Sequence, residues 1–132
     1  MEVHKHDIRI YYEDTDTGGV VYYANYLKFA ERARTESLRH LGFTNTSLRE
    51  EEGVLLVVRH VEADYLSSAR LDDLITVETE VEEVKNASFV MKQSIFCQNK
   101  AIFTAKVVIA CVDNDIKPVK LPEKLKNALQ SG

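Results

Sequence analysis

The period at which apolar residues recur changes along the chain, and the changes predict its elements. From Lys5 to Glu13, Ile8, Ile10 and Tyr12 alternate with Asp7, Arg9 and Tyr11, the two-residue repeat of a strand. The pattern breaks at Asp14-Thr15-Asp16-Thr17-Gly18-Gly19, where paired glycines permit turn conformations that other residues resist. After Val20 and Val21, the residues Tyr26, Phe29, Ala30, Ala33, Ser37, Leu38 and Leu41 recur at spacings of three and four, one face of a helix. Lys28, Glu31, Arg32, Arg34, Glu36 and Arg39 occupy its other side. Gly42 suits the C-terminal stop, and Arg39 and His40 suit the negative end of the dipole.

Strands follow. Val57, Arg59, Val61, Ala63 and Tyr65 read as one face of a strand, and Leu71-Asp72-Asp73 as a turn. Ile75, Val77 and Val81 alternate cleanly with Thr76, Glu78, Glu80 and Glu82, so one face there meets water or a polar partner. Ser88 to Gln98 forms the next strand, with a hairpin turn at Gln98-Asn99-Lys100. Ala101 to Val112 is apolar on both faces except at Thr104 and Lys106, the mark of a central strand. Pro122 to Leu129 fits a short terminal helix with proline first. Hairpin-linked strands with a helix on one face give a single α+β domain over 1–132.

Composition narrows the partners. Apolar residues make up 45% of 132, enough for a core, and the net charge of −4 gives a nucleic-acid partner no general support. The acidic run Glu50-Glu51-Glu52 reads as a solvated turn. Cys97 and Cys111 stand in apolar stretches without a CxxC pattern, so both are expected as buried thiols in a reducing compartment. No signal peptide and no stretch of roughly 18 apolar residues is visible, so the expectation is a cytoplasmic protein without an integral membrane segment.

The chemistry is concentrated in Tyr11 to Tyr26, where acidic residues sit on a glycine loop directly before a helix. The first turn of a helix offers free N–H groups and partial positive charge, which suit a carbonyl oxygen gaining negative charge. A carboxylate beside such donors can attack a carbonyl or activate water. Continuing through Leu27-Lys28-Phe29-Ala30-Glu31-Arg32-Ala33-Arg34-Thr35-Glu36, this segment closely resembles the 4-hydroxybenzoyl-CoA thioesterase family of hot-dog proteins. Within that family it looks most like the bacterial Tol–Pal-associated acyl-CoA thioesterases. The resemblance extends through Val57-Val58-Arg59, Tyr65 and Ala69-Arg70-Leu71-Asp72-Asp73.

The resemblance implies a five-stranded antiparallel sheet wrapped around one long central helix, with sites at the interface of a homodimer or homotetramer. It places the catalytic aspartate on Asp16 and the carbonyl-polarising amide on the backbone N–H of Tyr23. Members of this branch often carry His at that position, and the amide role survives the change because it uses backbone. Acyl-CoA is the implied substrate, contacted by Tyr22, Asn25, Tyr26, Arg59, Lys85 and Ser88, with no cofactor and no metal. The family's basic residues before Ser88-Phe89 shrink here to Lys85.

Other readings of the same residues are weaker. With Asp14 as position one of a calcium loop, Gly18 replaces an acid, Asn25 stands where a bidentate Glu belongs, and only Gly19 fits. Tyr22 and Tyr26 also suit packing. His4, His6, His40 and His60 lack metal spacing and are expected at the surface. A hot-dog dehydratase needs an acid–base pair, usually with a His, and the loop–helix segment has none. A non-catalytic scaffold binding acyl carrier protein is the third reading, which the chain's own acidity disfavours.

Overall fold

The computed structural model describes residues 2–131, so Met1 and Gly132, the ends of the expected domain, lie outside the described residues. Strand β1 covers His4–Arg9, α1 Asn25–His40, α2 Asn45–Glu52, β2 Leu55–Tyr65, β3 Leu74–Val84, β4 Ser88–Cys97, β5 Lys100–Val112 and α3 Glu123–Ser131. The five strands form one antiparallel sheet in the order β1-β3-β4-β5-β2. The meander β3-β4-β5 is its middle, and β1 and β2 are recruited to its two edges. Among the described residues, three α-helices accompany the sheet, rather than the one long helix and short terminal helix of the sequence pattern.

The apolar stripe of α1 is buried as its spacing predicts: Tyr26, Phe29, Ala30, Ala33, Ser37 and Leu38 all face inward. They meet Phe89, Met91, Ile95, Phe103 and Val107 from the middle strands in one hydrophobic core. A polar link crosses that core. Gln93 of β4 donates from Nε2 to the Ala30 carbonyl oxygen at 2.8 Å and to Thr79 Oγ1 at 3.0 Å. Its Oε1 accepts from Arg34 Nη1 at 3.0 Å, so helix and sheet are joined by hydrogen bonds as well as packing.

Four local departures from the sequence pattern have physical causes. Strand β1 stops at Arg9 because Asp14 Oδ2 accepts the Tyr11 N–H at 2.8 Å, which draws Tyr12–Asp14 into a 3-10 turn. Glu50–Glu52 form the end of a helix, not a turn. Thr44 and Ser47 cap its start reciprocally, each side-chain oxygen accepting the other's N–H at 3.0 Å, and Gly53 ends it at φ 67. In β2, the pairing passes from Val58↔Ile109 to His60↔Val108, which leaves Arg59 as the extra residue of a bulge. Val61, Ala63 and Tyr65 therefore share a face with core residues Val107, Ala105 and Phe103, while Val57, expected beside them, is turned the other way. Finally, His4 and His6 are half-buried rather than at the surface, because the strand alternation puts them with Ile8 on the side facing α1.

The hairpin between β4 and β5 is a two-residue turn. Gln98 and Asn99 both adopt positive φ, 52 and 64, the twist that suits adjacent antiparallel strands. Helix α3 buries Leu125 and Leu129 and packs against β3. Among the described residues, no helix is long and apolar enough to cross a membrane. Cys111 is buried as expected, whereas Cys97 is half-buried, with its thiol 3.5 Å from Asp73 Oδ2. Burial and the Asp73 carboxylate push that thiol's pKa up.

Candidate active site

The acidic loop is held by its own hydrogen bonds. The Asp16 N–H donates to the Val20 carbonyl oxygen at 2.9 Å, and Gly19 N–H donates back to the Asp16 carbonyl oxygen at 3.1 Å. Gly18 N–H donates to Asp16 Oδ1 at 2.8 Å, so the carboxylate is oriented by the turn while remaining exposed. A Cβ at position 18 would stand 3.3 Å from that oxygen and press on the carboxylate, and Gly19 sits at φ 78, a conformation that favours glycine.

The two aspartates do different work. The Asp14 carboxylate is engaged by Tyr11 N–H, and its carbonyl oxygen accepts from Tyr22 N–H at 3.0 Å and Asn25 Nδ2 at 2.9 Å. Asp14 is thus a structural clamp. Asn25, expected to touch substrate, uses its amide nitrogen to tie the loop to the first turn of α1.

From the other side, Val21 N–H donates to the Ala69 carbonyl oxygen at 2.9 Å, and Ala69 N–H donates to the Tyr26 hydroxyl at 2.9 Å. Tyr26 is 2% exposed, and burial pushes its phenol pKa up, which keeps it a neutral hydrogen-bonding group. Tyr26 therefore fixes the segment that fixes the loop.

The start of α1 is open. Its N-cap residue, Ala24, offers no side-chain cap. Asn25 N–H donates to the Tyr22 carbonyl oxygen and Tyr26 N–H to that of Tyr23, while the N–H groups of Tyr23 and Ala24 have no acceptor among the described residues. Two unpaired donors at the positive end of a 16-residue helix directly follow the loop that carries the exposed Asp16 carboxylate. Such an arrangement receives a carbonyl oxygen and activates a nucleophile next to it.

A family model described as the thioesterase-like superfamily matches residues 11–129. The chain belongs to this superfamily. Its curated relatives include an acyl-CoA thioesterase, YbgC, of Haemophilus influenzae, 50% identical over 122 residues and covering 92% of this chain and 90% of that protein. The acyl-CoA thioester hydrolase YbgC of Escherichia coli is 44% identical over 120 residues, covering 89% of each. Among solved structures, a probable thioesterase from Bartonella henselae superposes with a TM-score of 0.89 at 42% identity, over 92% of this chain and all of the other. The 4-hydroxybenzoyl CoA thioesterase of Pseudomonas superposes with a TM-score of 0.90 over 97% of this chain and 99% of its own, at 20% identity, and so shares the hot-dog fold.

Within this superfamily member, the expected site residues fall into two groups. Asp16, Tyr22, Tyr23, Asn25 and Tyr26 are brought together by the loop and the first turn of α1. Arg59 is exposed at the β2 bulge, and Lys85 and Ser88 flank the β3–β4 turn. Strand β3 runs ten residue steps from Leu74, near the loop, to Val84, so this turn is about 33 Å away along the sheet. Lys85 is exposed, but Ser88 is 7% exposed as the first residue of β4, not part of an open loop as expected. Among the described residues, no group of three or more His, Cys, Asp or Glu side chains could hold a metal ion.

Sequence reasoning missed Tyr65 and Ala69 in the site. Tyr65 ends β2 with its ring edge-on to Tyr23 at 6.0 Å. An aromatic residue closing a strand just before a turn was the available signal.

Proposed function

We propose that this chain hydrolyses acyl-CoA thioesters to a carboxylic acid and free coenzyme A. The observation that carries the reading is the pair of unpaired N–H groups at Tyr23 and Ala24 directly after the loop that carries the exposed Asp16 carboxylate. The thioester carbonyl oxygen accepts from the Tyr23 N–H, which draws electron density from the carbonyl carbon. As a general base, Asp16 takes a proton from water while the hydroxide adds to that carbon. The resulting oxyanion stays on the helix N-terminus until the C–S bond breaks and coenzyme A leaves as the thiolate. As a nucleophile, Asp16 adds to the carbon directly, expels the thiolate, and forms a mixed anhydride that water then cleaves. Tyr22, exposed next to Tyr23, stands on the acyl side of this centre, while Tyr26 is buried beneath it and supports the loop rather than touching substrate.

The complete site takes two copies of the chain. Strand β2 has a neighbour on one side only, and Val58 and Val61 are exposed along it, with Leu66 exposed just past its end. Antiparallel pairing of two β2 edges covers these residues and sets the Leu55 end of one strand against the Tyr65 end of the other. The partner's β3–β4 turn then approaches the loop, where Lys85 can meet a coenzyme A phosphate. Light scattering showing a stable, fully active monomer would contradict this arrangement.

The decisive test is thiol release by purified Asp16→Asn. The residue lies in an exposed turn, so circular dichroism should be unchanged while turnover falls by about 100–10,000-fold. Equal turnover would remove Asp16 from the mechanism. A single turnover in water labelled with oxygen-18 separates the two routes. Label in the Asp16 carboxylate identifies the nucleophile; label in the product acid alone also follows from water attack on the acyl carbon of the anhydride, so the base is assigned only when hydroxylamine traps no acyl-enzyme as well.

A further inference from the structure

We infer that Tyr65 is the residue that limits acyl-chain length, its ring forming the floor on which the acyl group lies. The inference rests on the acyl-CoA reading above and adds a substrate-facing residue that neither loop nor helix supplies.

With the carbonyl at the Tyr23 N–H, an acyl chain has two directions open to it. One leads inward, between the first turn of α1 and the sheet. That space is filled. The Tyr26 ring stacks on Phe103 at 5.6 Å and 15° between planes, and Phe29 meets Tyr26 edge-on at 6.1 Å. Tyr26, Phe29 and Phe103 are at most 2% exposed, and the bond from Ala69 N–H holds the Tyr26 ring in place. Packing this dense yields little to a ligand.

The other direction runs over Tyr65. Register pairing sets Tyr65 opposite Phe103, and the ring stands edge-on to Phe103 at 5.2 Å, to Tyr26 at 5.9 Å and to Tyr23 at 6.0 Å. It therefore joins the residue whose amide receives the carbonyl to the buried stack. Yet Tyr65 remains 45% exposed, and among the described residues its hydroxyl has no hydrogen-bond partner. A ring serving only to seal the core would be covered, with its hydroxyl satisfied. This one presents an apolar surface outward, directly beside Tyr23.

The Arg59 bulge is what sets this orientation. Without the extra residue, the β2 alternation would carry Tyr65 to the opposite face of the sheet. The ring then closes the route toward Phe103, and short acyl groups fit above it while longer ones meet a wall.

The test compares kcat/KM for butyryl-CoA and octanoyl-CoA in the wild type, Tyr65→Phe and Tyr65→Ala. Tyr65→Phe keeps the ring and should keep the wild-type ratio. Tyr65→Ala opens space bounded by Tyr23, Tyr26 and Phe103, and the octanoyl-to-butyryl ratio should rise by about tenfold or more, chiefly through a lower octanoyl KM. A purely structural role would lower the melting temperature and both rates but leave the ratio fixed, and that result overturns the inference. If Tyr65→Ala does not fold, Tyr65→Leu makes the same comparison with part of the volume retained. A wild type that releases thiol from no acyl-CoA removes the proposed function and this inference together. An active wild type with an unchanged ratio in the truncated variants removes only the inference.

Discussion

Replacing Gln93 with leucine should destabilise the protein more than its single amide suggests. Gln93 is 0% exposed and makes three hydrogen bonds, to Arg34, the Ala30 carbonyl and Thr79. Leucine nearly matches its volume, so the cost is polar rather than a cavity. The bond from the Arg34 guanidinium is charge-assisted, and such bonds contribute about 1.5–3 kcal/mol. Thr79 is also fully buried, and leaving its hydroxyl unpaired costs about 1–3 kcal/mol. Burial already lowers the Arg34 pKa, so its charge gains little from water once Gln93 is gone. A total of about 2.5–6 kcal/mol follows from these two terms. With about 2.1 cal/mol/K of unfolding entropy per residue over 132 residues, the melting temperature should fall by about 9–22 °C. Calorimetry at equal protein concentration measures it, since the proposed pairing of two copies would make melting concentration-dependent. A companion Arg34→Met change in the same background should recover part of the loss by removing the uncompensated charge. A drop below about 3 °C for Gln93→Leu, on the same entropy scale, would refute the reasoning and show that Arg34 reaches solvent unaided.

Tyr26→Phe keeps the stack on Phe103 but strands the buried Ala69 N–H, so stability should fall by about 1–3 kcal/mol. Turnover should fall with it, because Ala69 anchors Val21 at the end of the candidate-site loop; a melt and a rate assay on one preparation check both. His4 has its pKa held below 6.5 by burial and by the neighbouring His40 and His6, against an opposing pull from Glu36. The folded state therefore favours its neutral form, so this contribution to stability is present above pH 6.5 and is lost as pH falls below that value. The melting temperature of wild type relative to His4→Gln should drop between about pH 7.5 and 5.5, one unit either side of an ordinary imidazole; parallel curves would remove His4 as the cause. Lys85→Ala should raise KM for acyl-CoA modestly and leave kcat nearly alone, since one exposed lysine contributes about 0–1 kcal/mol of screened binding. A collapse of kcat at constant KM would mean that the coenzyme lies elsewhere.

Much of the architecture was legible because two periodicities carry it. The three- and four-residue spacing from Tyr26 to Leu38 names the buried stripe of α1 residue by residue, and the alternation through Ile75 and Val77 names the inner face of β3. What escaped depends on single residues or on distant ones. Helix α2 buries only Leu48, so no apolar stripe announces it, and its capping hydroxyls resemble loop chemistry. The Arg59 bulge carries no glycine, and one unsignalled residue reverses the faces of half a strand. The loop of the candidate site was readable from its glycines and acids, and the resemblance singled out Asp16, but the anchoring of Asp14 was not legible. It follows from which carboxylate the Tyr11 N–H captures. The bond between Arg34 and Gln93, 59 residues apart, has no local trace at all.

The strand order has a consequence for how the chain reaches this state. Both edge strands lie in the N-terminal half, yet β1 pairs with β3 and β2 with β5, so nothing made before residue 74 can complete a sheet. Hairpin contacts of short loop length favour β3-β4-β5 as the first structure to form, with the edges added across long, entropically slower closures. During synthesis at about 5–20 residues per second, the amphipathic α1 and the apolar β2 therefore wait several seconds for their template. That interval is when this protein most needs a chaperone, and a truncation after β4 should leave the N-terminal half protease-sensitive however well its own helix forms.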